Sequence, residues 1–340
     1  MQILKLFQSQ SWVVEEILND LEMTRRKDAR FNHTLIMGDT GTGKTTILSS
    51  LDEVIREDQN LNSYFNIINL PFSFNSSNID DVFERLFLNI DESLKHKHHL
   101  LFIDDLHVLL NDPDGGADKL RAILHQTRPK ISLIATAERI FKEQLTHNKA
   151  FHNFLHIIDL GAMKDEDVTK FMLPIIKAKS WSFLNQELAL SSPFWLAIIT
   201  ENNPRLLTIV KNIIQSYEME KRKDKIDPAK FIKFYFELSG PIFLNSLSNL
   251  PRQNRYFLEW ASLLGREFAP RDVNIKSKNV SQEATKLVDR GYLIKKGKGK
   301  YQFRSSSLKA YLRYVKNLPI GRVLNVDLEA VNYTFSKHLD

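Results

Sequence analysis

Gly38-Asp39-Thr40-Gly41-Thr42-Gly43-Lys44-Thr45 satisfies the spacing G-x-x-x-x-G-K-[ST]. Glycines at those positions let successive backbone N–H groups turn inward onto phosphate oxygens, and a helix opening at the end of the motif adds the field of its N-terminus. In such a loop Lys44 reaches the β- and γ-phosphates and Thr45 sets its hydroxyl on a Mg²⁺ ion, with Thr46 completing the nucleotide-binding stretch. About 60 residues later, Leu100-Leu-Phe-Ile-Asp104-Asp105 is an apolar run that ends in two carboxylates. Asp104 is expected to hold the hydration shell of the Mg²⁺, from a strand adjacent to the phosphate loop. Asp105 is then the group to orient or deprotonate an attacking water.

These residues need a sheet to carry them. Apolar residues at Trp12, Val13, Ile17, Leu18 and Leu21 recur at helical spacing within the first 30 residues. A strand over Thr34–Met37 runs into the glycine turn, and a helical pattern covers Thr45 to Ile55. Further apolar runs at Phe65–Leu70, Leu100–Ile103, Ile131–Ala135 and Phe154–Leu160 alternate with helical segments near 79–94, 117–127 and 138–146. Alternation of this kind predicts βαβ units and a parallel sheet with helices on both faces. From Lys164 to about Lys225 the pattern is helical. The charged stretch Glu218–Lys225 reads as a solvated helix end and connector.

Taken together, the motifs resemble those of AAA+ and related signalling P-loop ATPases, a class that includes origin-recognition proteins, transposon target-selection ATPases and archaeal-type ATPases with a C-terminal winged helix. The resemblance covers residues 10–215. It implies an α/β P-loop NTPase core over 1–162, a helical lid over 163–225, a helical connector over 226–249, and a winged-helix domain with its tail over 250–340. ATP and Mg²⁺ are the implied ligands. Ile131-Ser-Leu-Ile-Ala-Thr136 looks like the strand whose last polar residue senses the γ-phosphate, so Thr136 matches the sensor 1 position. Asn202-Asn-Pro-Arg205 is similar to the lid motif in which an arginine folds over the nucleotide; Arg205 is either that sensor 2 group or a surface residue.

Two departures from the family pattern stand out. Asp105 occupies a position where most AAA+ proteins have Glu, one methylene longer, which points to slow hydrolysis. Between Lys142 and Asp159 there is Lys149 but no arginine to serve a neighbouring protomer as a finger. Arg139 either contacts the γ-phosphate, in the manner of signalling ATPases, or is a surface residue. A switch that assembles or changes shape with nucleotide fits these departures better than an obligate hexameric motor, and a nucleotide-dependent homo-oligomer is expected. The histidines of Lys95-His-Lys-His98-His99 read as a polar loop rather than a metal site, because nothing nearby completes a ligand set.

The C-terminal third has its own pattern. Tyr256, Phe257, Trp260 and Leu264 recur at helical spacing, Phe268–Val273 reads as a second short helix, and Ser281–Arg290 as a third. A Lys/Gly hairpin follows at 292–303, and a closing helix ends near Arg313. This order resembles a winged helix-turn-helix, with Ala284, Leu287 and Val288 as the buried face of its recognition helix. Gln282, Thr285 and Lys286 face outward to read bases, and Lys295, Lys296, Lys298 and Lys300 form a wing that neutralises phosphates. Against DNA, Glu283 and Asp289 on the same helix would repel a backbone. The alternative is a signalling or defence ATPase whose winged helix docks another protein of the same system.

Composition agrees with this division. The 340 residues carry 47 Lys plus Arg against 41 Asp plus Glu, with 43% hydrophobic residues, which excludes a disordered or collagenous chain. Residues 1–220 hold a balance of −7 and residues 221–340 one of +13, so an anionic partner is expected for the back of the chain. With no cysteine, disulfides, thiolate catalysis and Cys-based metal sites are excluded. No apolar run approaches the roughly 18 residues of a spanning helix, and a cytoplasmic protein without a membrane partner is expected. The expected function is a Mg²⁺-dependent ATPase acting as a nucleotide-controlled switch on DNA, in transposition, replication or a mobile element.

Overall fold

The computed structural model describes residues 8–28, 31–70, 98–110, 116–125, 130–138, 154–164, 166–168, 170–171, 199–219, 228–248, 250–275, 279–319 and 323. The helical segments expected near 79–94 and 138–146, Arg139, Lys149 and most of the lid lie outside them. The chain divides into two compact units, Met1–Met163 and Lys164–Asp340.

In the first unit, α1 (Gln8–Lys27), β1 (Thr34–Gly38), α2 (Lys44–Glu57), α3 (Gln59–Tyr64) and β2 (Phe65–Leu70) are followed by β3 (His98–Ile103). Then come α4 (Leu106–Leu110), α5 (Gly116–Leu124), β4 (Lys130–Glu138) and β5 (His156–Leu160). The strands form one parallel sheet in the order β2-β3-β4-β1-β5. Every residue of β1 and β3 is buried, as expected of central strands covered on both faces.

Alternation along the strands sorts their side chains into two cores. Leu35, Met37, Leu101, Ile103, Leu133 and Ala135 pack on α4 and α5. Ile36, Leu100, Phe102 and Ile134 pack on α1, α2 and α3 through Val13, Ile17, Leu21, Ile47, Leu51 and Leu61.

Three expectations need correction. Trp12 is 43% exposed, and the buried stripe of α1 is Val13, Val14, Ile17 and Leu21. His98 and His99 are not in a polar loop: they open β3 and are fully buried, His98 Nε2 lying 2.8 Å from Ser132 Oγ and His99 Nδ1 3.2 Å from Asn66 Nδ2. The strand that carries Asp104 is not the neighbour of β1, because β4 lies between them.

The second unit contains α6 (Pro204–Met219), α7 (Pro228–Ser248), α8 (Arg252–Ala261), β6 (Glu267–Phe268), α9 (Val280–Asp289), β7 (Leu293–Gly297), β8 (Lys300–Phe303) and α10 (Ser306–Val315). Aromatic side chains fix α7 against α10: Phe236 stacks on Tyr314 at 4.9 Å and Phe243 on Tyr311 at 4.8 Å. Ser307 Oγ and Tyr235 OH both donate to the Ile199 carbonyl, at 2.5 Å each.

The expected helix at 268–273 is instead strand β6 and a 3-10 turn over Pro270–Asp272; Phe268 pairs with Tyr301, making β6 the third strand of an antiparallel sheet β6-β8-β7. On α8 the buried face is Asn254, Phe257, Leu258 and Ala261, while Tyr256 is 46% exposed, contrary to the expected Tyr256, Phe257, Trp260 and Leu264 face. Two buried cations close the end of α8. Arg313 donates to the carbonyls of Ser262 (2.6 Å) and Leu264 (2.9 Å), and Lys309 to that of Gly265 (2.7 Å), which satisfies the C-cap carbonyl and those of the turn that follows the helix.

Candidate nucleotide site

Gly38 ends β1, and Asp39 to Gly43 turn the chain into α2, whose first turn holds Lys44, Thr45 and Thr46. The glycines answer specific demands. A Cβ on Gly38 would lie 2.7 Å from Thr42 Oγ1 and 2.8 Å from the Leu160 carbonyl, and Gly43 sits at φ 97°, in the left-handed region. Thr42 locks the turn, its N–H and hydroxyl both donating to the Asp39 carbonyl at 3.2 and 2.8 Å. Lys44 folds under the loop and donates to the carbonyls of Gly38 (2.9 Å) and Asp39 (3.1 Å). Burial pulls its pKa down, opposed by the negative charges of Glu138, Asp105, Asp104 and Asp39.

The acidic side of the site converges on Asp104. Alternation in β3 puts Asp104 on the same sheet face as Phe102, the face that α2 covers. Its Oδ2 accepts the Thr45 hydroxyl at 2.6 Å, and its Oδ1 accepts the Thr136 hydroxyl in a short hydrogen bond. Thr136 in turn accepts the Asp105 N–H at 2.9 Å. Because β4 is inserted between β1 and β3, Thr136 is the buried link between the phosphate loop strand and the acidic strand. Asp105 departs from the strand at φ 50° and turns its side chain outward, about half exposed. Burial first, and then the charge of Asp104, push its pKa up.

Two residues of this site carry no motif. Gln10 on α1 is buried, and its Nε2 donates to the Thr42 carbonyl at 2.5 Å, so the first helix props the phosphate loop. Glu138, the last residue of β4, accepts the Thr40 hydroxyl at 2.6 Å. A signal for Glu138 was present, since it stands two residues after Thr136 and shares its side of a strand; for Gln10 nothing local marks it.

Arg205, the second residue of α6, belongs to the second unit and is exposed, its N–H held by Asn203 Oδ1 at 3.0 Å. On α9, Gln282, Thr285 and Lys286 are exposed, as are Lys295, Lys296, Lys298 and Lys300 of the hairpin. Glu283 is not the outward repulsive charge that was expected: it is buried, accepts Asn254 Nδ2 at 2.8 Å and pairs with Lys286 at 3.0 Å. Lys300 lies 3.6 Å from Glu267. Among the described residues there is no cluster of metal-binding His, Asp and Glu side chains, and no helix long and apolar enough to cross a membrane.

Residues 34–157 match the sequence model of the ATPase family associated with various cellular activities, AAA. No curated protein matches the chain. Among solved structures, the Aeropyrum pernix ORC2 protein, determined as ADPNP–ADP complexes, is similar at a TM-score of 0.58 with 14% identity, over 96% of this chain and 93% of that one. The Aeropyrum pernix ORC1 protein in complex with DNA gives a TM-score of 0.49 at 14% identity, over 92% and 95%. The Thermotoga maritima RuvB Holliday junction branch migration motor gives 0.43 at 16%, over 91% and 96%. The five-stranded parallel sheet, the phosphate loop and the family match agree: residues 34–157 match the AAA family on a P-loop fold like that of the Aeropyrum pernix ORC2 protein.

Proposed function

We propose that the protein is a Mg²⁺-dependent ATPase whose nucleotide state governs how its basic C-terminal module engages DNA. The observation that carries the ATPase part is the convergence of the Thr45 and Thr136 hydroxyls on one Asp104 carboxylate, beside a buried Lys44. Hydroxyl and carboxylate oxygens are the hard donors that Mg²⁺ takes, so Thr45 and Asp104 fit the ion. When bound, Mg²⁺ neutralises charge on the β- and γ-phosphates. Lys44 holds those phosphates, the N–H groups of 38–46 wrap them, Thr136 keeps Asp104 oriented toward α2, and Arg205 is either the sensor 2 group or a surface residue. Arg139 either meets the γ-phosphate or stays on the surface. Lys44→Ala abolishes nucleotide binding, whereas Asp105→Ala keeps it and slows hydrolysis further.

The DNA part rests on the row of exposed lysines in the β7–β8 hairpin and on the internal neutralisation of Glu283, which removes one of the two charges opposing a phosphate backbone. Gln282, Thr285 and Lys286 then supply contacts from α9 to base edges or phosphate, and nucleotide-dependent self-assembly supplies the switch. Affinity for duplex DNA, measured with ATP against salt, is expected to fall steeply as the lysines release counterions. A second reading, in which this module docks a protein, is favoured by the exposed Tyr256 and Leu263. A flat salt response, or no DNA binding in the presence of ATP, selects that reading.

A further inference from the structure

Asp105 is a short carboxylate for the task of activating water, and the structure holds a longer one on the neighbouring strand. β4 pairs in register with β1 so that Glu138 stands directly beside Gly38, the first residue of the phosphate loop. It follows Thr136 by two residues, so both point to the face of the sheet that α2 covers. Its carboxylate is anchored 2.6 Å from the hydroxyl of Thr40, in the outer turn of the loop. Its charge also acts on Lys44 and on Asp105. Glu138 therefore lies at the phosphate loop, in the site that holds Lys44, Thr136 and Asp105. Nothing in the phosphate loop or in the acidic run Asp104-Asp105 assigns it a role.

Building on the ATPase reading above, we propose that Glu138 is a catalytic residue: its carboxylate binds the attacking water and takes its proton, while Asp105 helps to orient the water. In that step the water oxygen forms a bond to the γ-phosphorus, and the bond from that phosphorus to the β,γ-bridging oxygen breaks with its electron pair leaving on ADP. The water's proton passes to Glu138 and then to the released phosphate or to solvent. Thr40 holds the carboxylate in place before nucleotide arrives. The arrangement gives a chain with Asp at the second acidic position a longer carboxylate for that task.

The test is single-turnover hydrolysis of ATP by the full chain, with fluorescent ATP binding measured in parallel. Glu138→Gln, which keeps the acceptor for Thr40, is expected to bind ATP within threefold of the unsubstituted protein and to lose about 10²-fold or more in the hydrolysis rate, the usual share of a general base. Glu138→Ala is expected to be slow as well and to be partly restored by added formate, an external carboxylate that a merely structural role would not answer to. Hydrolysis by Glu138→Gln at the unsubstituted rate overturns the proposal, as does a slow Glu138→Ala that formate leaves unchanged while Glu138→Gln is fully active. Those results leave the ATPase reading standing, provided Lys44→Ala abolishes binding. Failure of the unsubstituted chain to bind ATP removes both.

Discussion

The phosphate site and the basic hairpin use charge in opposite ways. Around Asp104 most of the functional groups are held by another: Thr45 and Thr136 on its carboxylate, Lys44 on the carbonyls of its own loop, Thr40 on Glu138, Gln10 on Thr42. Along β7 and β8, by contrast, four exposed lysines project from a two-stranded turn, and only Lys300 has a nearby carboxylate, at 3.6 Å, among the ion pairs of the described residues. The first arrangement is preorganised, so its geometry decides function and one substitution breaks it. The second is a field, in which contributions add and no single residue decides.

The largest expected effect tests the preorganised side. Asp104→Asn removes the charge that receives two hydroxyls, and ATP turnover in Mg²⁺ is expected to fall by about 10²-fold or more; turnover within threefold would mean that the network is decorative. Next, replacing Lys295, Lys296, Lys298 and Lys300 together by Ala is expected to lower the slope of log affinity for DNA against log salt by about 3 to 4, while each single change lowers it by about 1. A single lysine that removes most of the binding would break the comparison. A structural control comes third: Phe236→Ala, in the aromatic seam between α7 and α10, is expected to cost about 3–5 kcal/mol by chemical denaturation. Asn254→Ala, which removes a buried partner of Glu283, costs less, about 1–3 kcal/mol.

The smallest effect concerns Asp105. Its pKa is raised in the folded protein, so the fold binds its proton more tightly than the unfolded chain does. Stability therefore declines as pH rises from the ordinary carboxylate range through the raised value. Asp105→Asn is expected to raise the melting temperature at neutral pH by about 1–2 °C without nucleotide, a small gain because water screens the half-exposed group. Equal melting temperatures at acidic pH complete the check.

Much of the first unit was legible because its determinants are local. The glycine spacing, the apolar runs of β1 and β3 and the strand-to-helix order name the phosphate loop and the parallel sheet directly. Strand order was not legible: nothing in the sequence says that β4 inserts between β1 and β3, and that insertion is what brings Thr136 onto Asp104 and Glu138 beside Gly38. His98 and His99 misled because histidine reads as polar, whereas here Ser132 and Asn66 on adjacent strands let both rings be buried. Gln10 was invisible for the same reason, since its partner is 32 residues away and only the packing of α1 brings them together. In the second unit the helix–hairpin order was readable, but its short second helix was not, because Phe268 gains a ladder partner in Tyr301 that only the tertiary fold supplies.

The central claim is that the loop of 38–46, with Asp104 and Thr45, binds Mg²⁺ and ATP together. Calorimetric titration of ATP into the full chain and into Lys44→Ala, each with Mg²⁺ and with EDTA, tests it most directly. Saturable one-site binding that weakens at least tenfold in EDTA and is lost in Lys44→Ala is the predicted result. Equal affinity in the two proteins would contradict it.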